Sequence, residues 1–142
     1  MRFMLLLIPS GEGGPEPAAL PDAQTIAAMI GYTEALQDAG VLVTLDGLHP
    51  PSSGARVRFH GGKATVSAGP FGDAKETLGG YWMIDVGSRE DAIAWASRCP
   101  AADHETIEVR QVQAPTDFPR DLRDIASKLA RLQGDSIAQA VA

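Results

Sequence analysis

The chain has little of what usually identifies a secreted protein or a well-known enzyme class. It contains one cysteine, Cys99, so no intramolecular disulfide can form and nothing indicates secretion. No Gly-x-Ser-x-Gly motif is present. Gly11, Gly13 and Gly14 follow the first apolar stretch, but their spacing is neither that of a Rossmann loop nor that of a Walker loop. These absences argue against disulfide scaffolds, serine hydrolases of that type and nucleotide-binding loops.

Long apolar runs and an excess of basic residues are missing as well. The first apolar stretch, residues 3–8, is too short for a secretory signal, and no segment approaches the ~20 apolar residues of a membrane span. The net charge is −6, whereas nucleic acid and anionic membrane both require a basic surface. We therefore expect a cytoplasmic protein that binds neither nucleic acid nor membrane.

Hydrophobic periodicity predicts strands alternating with helices. Strands are predicted at residues 3–8, 41–45, 55–60, 63–67, 78–86 and 105–112, and helices over residues 23–39, from Ser88 to before Pro100, and after Pro115. Asp22 is a suitable N-cap for the first helix, and Gly40 ends it. The predicted buried stripe of that helix consists of Ile26, Met29, Ile30, Thr33, Leu36 and Gln37. Tyr32 lies off this stripe, which favours an interface or loop contact for its side chain.

Gly61-Gly62 predicts a tight turn between two hairpin strands, because glycine adopts positive φ freely. Alternation along the hairpin places Val57, Phe59, Ala64 and Val66 on one face. The other face carries Arg56, Arg58, His60, Lys63 and Thr65. Two interpretations of those charges remain open, a solvated outer face and an anion site.

Removing the hairpin as an insertion leaves the order βαββαβ, a ferredoxin-like α+β sandwich with both helices on one face of the sheet. We expect this domain to span residues 1–114, followed by a C-terminal helical extension over residues 115–142. The first and third core strands are apolar on both faces, although helices can cover only one. The cheapest cover for the second face is a copy of the same sheet, which predicts a homodimer.

The extension has a narrow apolar seam. Its members are spaced by three or four residues and are Leu122, Ile125, Leu129 and Leu132. Such a seam suits one partner surface, either the dimer or its own domain.

Candidate ligand-binding residues follow from where polar and aromatic side chains interrupt this pattern. Asp46 and His49 flank the turn before Pro50-Pro51, where His49 is either a base or a turn residue. Asp85 is alone on a largely apolar strand, where it is either a carboxylate of perturbed ionisation or a solvated or helix-capping one. Phe71, Lys75 and Tyr81 belong to the stretch that rejoins the sheet after the hairpin. Phe71 and Tyr81 are either pocket walls or packing residues, and Lys75 either binds an anionic ligand or is solvated.

The remaining titratable residues give little indication of a functional site. Asp103 and His104 are only two metal ligands in a loop, so no metal site is predicted, and no motif indicates a cofactor. Cys99 falls at a helix C-terminus, where the helix dipole disfavours a thiolate. We assign it a structural role.

The stretch Gly69-Pro70-Phe71, followed by residues 75–81, resembles the Asp-Gly-Pro-Phe subgroup of YCII-related proteins. Further matches are the leucine-rich first strand, the Gly-Leu-x-Pro-Pro turn at residues 47–51, and the segments at residues 39–42, 100–102 and 107–110. The resemblance covers residues 1–113 and implies a dimeric α+β barrel with a small-molecule cleft between the sheet and the loops. It also implies an association with sigma-factor regulation, and the family's biochemical role is unassigned.

Two positions depart from the family pattern. The aspartate of the subgroup motif is Ala68 in this chain. The helical histidine proposed as catalytic in the other YCII subgroup falls in residues 28–30, Ala-Met-Ile, which cannot transfer protons.

Three functions are consistent with the sequence. The first is a homodimeric small-molecule-binding protein with its cleft between the sheet and residues 69–80. The second is an isomerase-, lyase- or monooxygenase-like enzyme, on fold analogy alone. The third is a protein–protein adaptor linked to sigma-factor regulation. Whether the chain is an enzyme is left open.

Overall fold

The computed structural model describes residues 1–9, 22–71 and 77–141, and it confirms a mixed α+β chain. It divides into two units, residues 1–110 and 111–142. The strands are β1 (Arg2–Ile8), β2 (Leu42–Gly47), β3 (Ala55–His60), β4 (Lys63–Ala68), β5 (Gly80–Asp85) and β6 (Thr106–Gln111). The helices are α1 (Ala23–Asp38), α2 (Arg89–Ala96) and α3 (Arg123–Val141). None of the described helices has the length and apolar character needed to cross a membrane.

Four strands form an open sheet in the order β2-β5-β1-β6, while β3 and β4 form a separate hairpin. β5 pairs antiparallel with β1 on one side and with β2 on the other. The pairing with β1 runs from Arg2 opposite Asp85 to Leu7 opposite Gly80. β1 and β5 are therefore inner strands, as expected from their apolar sequences.

The core lies between this sheet and helices α1 and α2. Phe3 and Leu5 of β1 and Trp82 and Ile84 of β5 are buried on the covered face of the sheet. They pack with Tyr32, Leu36, Val86 and Ala92. N-cap hydrogen bonds fix where both helices begin. Asp22 accepts one from the Thr25 amide at 2.7 Å, and Ser88 accepts one from the Asp91 amide at 3.1 Å.

The predicted buried stripe of α1 was partly wrong. Ile26 and Ile30 are 45% and 52% exposed and Gln37 is also exposed, while Tyr32 is buried. The Tyr32 ring meets the Trp82 ring edge-on at 5.4 Å, and its hydroxyl donates to the Trp95 carbonyl oxygen at 2.9 Å. The hydroxyl thus has a partner inside the protein, so the large ring can be buried in preference to the isoleucines. Met29, Thr33 and Leu36 remain on the inward side.

The hairpin forms as the sequence predicts. Gly61 and Gly62 have φ values of 55° and 74°, as a two-residue turn of this kind requires. Val57 lies opposite Val66 and Phe59 lies opposite Ala64, so the expected apolar face exists. Most hairpin residues are nevertheless exposed on both faces.

Residues 111–142 begin with two short 3-10 turns, Pro115–Asp117 and Arg120–Leu122, before α3. The Asp117 carboxylate accepts from the Ala114 amide at 2.7 Å, and Arg123 Nε donates to the Phe118 carbonyl oxygen at 3.2 Å. The helix therefore starts later than Pro115. The expected seam is exposed, from 44% at Leu122 to 66% at Ile125.

The hairpin joins the rest of its unit at a tightly packed glycine. The Gly69 amide donates to the Gly54 carbonyl oxygen at 2.9 Å, and the Gly69–Pro70 peptide bond is cis. A Cβ atom on Gly69 would overlap the Pro51 carbonyl oxygen and lie 2.7 Å from the Pro51 carbonyl carbon. Only glycine allows this contact.

Gly69→Ala should therefore lower the free energy of unfolding by about 1–3 kcal/mol, because the added methyl group displaces the Pro51 backbone. Gly31→Ala is the matched control, since a Cβ on Gly31 meets no atom within 4 Å. In the middle of a helix that control should stabilise by about 0.5–1 kcal/mol. Denaturant unfolding measures both variants. Equal stability of Gly69→Ala and wild type would show that the junction is not tight.

Candidate functional site

The side of the four-stranded sheet that faces away from α1 and α2 carries a polar pair beside apolar side chains. We call this side the open face; alternation places Met4, Leu6, Thr44, Asp46, Tyr81 and Met83 on it. Its apolar residues on β1 and β5 are partly exposed, and α1 and α2 both pack on the other side. Asp46 lies directly opposite Tyr81 in the β2–β5 register. The open face thus combines an apolar centre with the Asp46–Tyr81 pair, and alternation places the charged residues Arg2, Asp85, Glu108 and Arg110 at its margins.

The Tyr81 hydroxyl donates a hydrogen bond to Asp46 Oδ2 at 3.0 Å. The backbone next to the pair is closely packed, because a Cβ on Gly80 would lie 2.8 Å from the Asp46 carbonyl oxygen. Gly80 therefore lets β2 approach β5 at the point where the two side chains meet. The second carboxylate oxygen of Asp46 can still accept a hydrogen bond from a ligand.

The hydrogen bond to Asp46 raises the pKa of Tyr81, and partial desolvation and the nearby negative charge act in the same direction. A hydrogen bond with Thr44 lowers the pKa of Tyr81 and opposes part of this effect. The phenol therefore stays protonated near neutral pH and acts as a donor. Such a pair suits recognition of a polar group better than proton transfer at neutral pH.

The candidate residues do not all gather at one place. Asp85 is at the far end of β5, roughly 14 Å along the strand from Tyr81 at ~3.4 Å per residue. It accepts a hydrogen bond from the Met1 ammonium group at 2.8 Å. It also lines a shallow, open cleft of about 660 Å³ with Trp95 and Arg98. Asp85 and Tyr81 therefore lie at opposite ends of β5.

Phe71 lies at the base of the hairpin. The guanidinium carbon of Arg56 is 4.0 Å from the centroid of the Phe71 ring, a cation–π contact. His49 is exposed two residues beyond the end of β2. Lys75 lies outside the described residues. Within residues 1–110, the structure brings together Asp46 and Tyr81 and leaves Phe71, His49 and Asp85 elsewhere.

Sequence reasoning missed Thr44 and Arg56. The sequence indicates only that Thr44 belongs to a strand, and the register across the β-bulge between Leu42 and Thr44 decides which residue it faces. Arg56 was assigned to the polar face of the hairpin, and no sequence signal pairs it with Phe71. Both contacts join distant segments, so local periodicity carries no information on them.

Cys99 and the acidic residues of the described ranges are a second candidate centre. Burial raises the pKa of the Cys99 thiol to about 11, with the charge of Glu105 acting in the same direction. A thiol of that kind is a poor nucleophile at neutral pH. Among the residues that the structure describes, no three His, Cys, Asp or Glu side chains are grouped closely enough to hold a metal ion.

Asp46→Asn should lower the pKa of Tyr81 toward the usual value of about 10, because the amide removes the negative charge that disfavours the phenolate. Ultraviolet titration measures this change. Tyr32 is the other tyrosine, and burial raises its pKa far more, so Tyr81 is the first phenol to ionise. Asp85→Asn, at the other end of β5, is the control and should leave the titration unchanged. An unchanged titration in Asp46→Asn would contradict the hydrogen bond.

Comparison with known proteins extends these observations. The family model described as the YCII-related domain matches residues 1–116. An uncharacterized protein of Rhizobium meliloti (strain 1021) is 33% identical over 69 residues, which is 49% of this chain and 56% of that relative. The chain thus spans little more than half the length of that curated relative. Because the family model covers most of the sequence and the whole of the described sheet, the chain belongs to the YCII-related domain family.

Proposed function

We propose that the chain is a homodimeric protein that binds a small molecule at the Asp46–Tyr81 pair. The observation that carries the proposal is the 3.0 Å hydrogen bond between these side chains beside the apolar centre of a half-exposed sheet face, formed by Met4, Leu6 and Met83. Apolar surface with a few convergent polar groups is typical of ligand sites. The pair also combines a donor whose pKa is raised with a free carboxylate oxygen.

The dimer follows from the way the sheet is covered. The strand order β2-β5-β1-β6, with α1 and α2 on one side, supports the ferredoxin-like sandwich expected from the sequence. Met4, Leu6 and Met83 give the other side an apolar centre. A second copy packed face to face buries these side chains from both chains, which is the dimeric α+β barrel that the family resemblance implies.

The proposed dimer also narrows the chemical class of ligand that the site would bind. A sheet-to-sheet contact removes water from around Asp46 and Tyr81, so hydrogen bonds to a ligand become stronger there than in water. Asp46 disfavours anionic ligands and favours a ligand that donates from a hydroxyl or amine group. We therefore narrow the ligand to a small, partly apolar alcohol or amine. Binding rather than turnover is proposed because the raised pKa of Tyr81 lies further from neutral pH than that of an ordinary tyrosine, whereas proton transfer is favoured by a pKa near the working pH.

A second candidate function concerns residues 111–142. Leu122, Ile125 and Leu129 of the seam are 44%, 66% and 57% exposed. An exposed apolar seam on a helix favours a protein–protein contact, as in an adaptor. We rank this function below ligand binding because the seam carries no polar group that would select a partner.

Wild type should sediment as a dimer at micromolar concentration, whereas Leu6→Asp should be a monomer. A carboxylate placed at the centre of the apolar contact is buried without a partner in the dimer. Ala27→Asp is the control, because Ala27 lies on the exposed side of α1. Circular dichroism checks that all three proteins are folded. A monomeric wild type would refute the dimer.

A thermal-shift screen of small alcohols and amines tests the ligand site. Compounds that bind should raise the Tm of wild type by several degrees at about 100 times their Kd, since such saturation stabilises by ~2.7 kcal/mol. Tyr81→Phe should weaken their binding about fivefold, the effect of losing one hydrogen bond. Asp85→Asn should have no effect. If no compound stabilises wild type, the binding proposal fails; if Tyr81→Phe binds equally well, the site lies elsewhere.

A further inference from the structure

The β3–β4 hairpin exposes an apolar face that the described part of its own unit leaves uncovered. Val57, Phe59 and Val66 are 50%, 79% and 68% exposed. The register places Val57 opposite Val66, and Phe59 lies on the same face, so the three side chains form one surface. An isolated two-stranded hairpin is marginally stable in water, and a contiguous apolar patch marks an interaction surface. The hairpin face therefore needs a partner.

The other face of the hairpin is cationic in a chain that is otherwise acidic. Residues 47–71 contain Arg56, Arg58 and Lys63 and no aspartate or glutamate. The whole chain has 12 basic and 18 acidic residues, so the remainder has nine basic and 18 acidic residues and a net charge of −9. The hairpin is thus attracted to another copy of this chain. A nucleic acid would be repelled by the rest of the molecule.

The hairpin also leaves the sheet at one end of the open face. Gly47 of β2 lies opposite Gly80 of β5, and the Leu48 amide donates to the Gly79 carbonyl oxygen at 2.9 Å. Asp46 and Tyr81 are the next pair along these strands. A copy of the chain that covers the open face therefore reaches the base of the hairpin.

We propose that the hairpin is an arm that packs its apolar face on the second copy of the chain. This inference rests on the homodimer proposed above and extends its contact beyond the sheet. An aromatic side chain buries about 150–250 Å², so the patch supplies only part of the ~800 Å² per partner of a stable interface. The arm therefore reinforces the sheet-to-sheet dimer, and it closes that dimer at the end where Asp46 and Tyr81 bind the ligand.

Photo-crosslinking identifies the surface that the arm contacts. A p-benzoylphenylalanine replaces Phe59, and light chains are mixed with heavy-isotope-labelled chains before irradiation. We expect cross-linked peptides that join a light chain to a heavy chain. The same photoreactive residue at position 58, on the opposite face of the strand, is the control and should give few such peptides. Cross-links confined to a single chain, for example to its own residues 111–142, would overturn the arm.

The dimer Kd provides an independent test, measured by sedimentation equilibrium. Phe59→Ser should weaken dimerisation about tenfold or more, because each dimer loses two buried aromatic rings. Arg58→Ser, the exposed neighbour on the cationic face, should change the Kd less than Phe59→Ser does.

The two proposals fail in different ways. A monomeric wild type refutes the dimer, and the arm with it. If wild type is a dimer that Leu6→Asp dissociates, but Phe59→Ser has a Kd within about twofold of wild type, the arm is refuted and the sheet-to-sheet dimer stands.

Discussion

The antiparallel pairing of β1 with β5 is the contact on which the rest of the chain depends. It places Phe3 and Leu5 beside Trp82 and Ile84, and these four buried side chains form the floor on which both helices pack. The same pairing aligns a second row of apolar residues on the opposite side. Because a helix layer covers one side of a sheet only, the sequence that builds the core also creates the open face. The proposed dimer and ligand site are consequences of that geometry.

The polar pair on the open face shows how strand register selects a site. Asp46 and Asp85 have similar sequence surroundings, since each ends a largely apolar strand. Register places Asp46 across from Tyr81 and Asp85 across from Arg2, and Asp85 also accepts from the Met1 ammonium group and borders the cleft beside α2. Asp46 accepts a hydrogen bond from the Tyr81 hydroxyl across the paired strands. The same side-chain type thus makes a cross-strand contact with a phenol in one strand and a contact with the terminal ammonium group in another.

The elements predicted from the sequence were largely correct where local chemistry decides. Asp22 and Ser88 cap helices, and Gly61-Gly62 forms a turn. These roles can be predicted from the sequence because each depends on only a few neighbouring residues. The prediction of which side of α1 faces the core was partly wrong. Tyr32 is buried because its side chain contacts Trp82 and Trp95, which are about 50 and 60 residues away in the sequence. The meeting of Asp46 with Tyr81 depends on strand register in the same way. Periodicity shows which side chains lie on the same side of a helix or strand, but it does not show which residues they contact.

The insertion of the hairpin between Gly47 and Gly80 has a consequence for how this domain can vary. The two glycines are direct neighbours across paired strands, so the 32 residues between them leave and return at the same point of the sheet. A segment whose ends are this close can be lengthened, shortened or exchanged at little cost in loop entropy, while the sheet keeps its register. The position is therefore a natural graft point, at which related chains can acquire different appendages on one unchanged core.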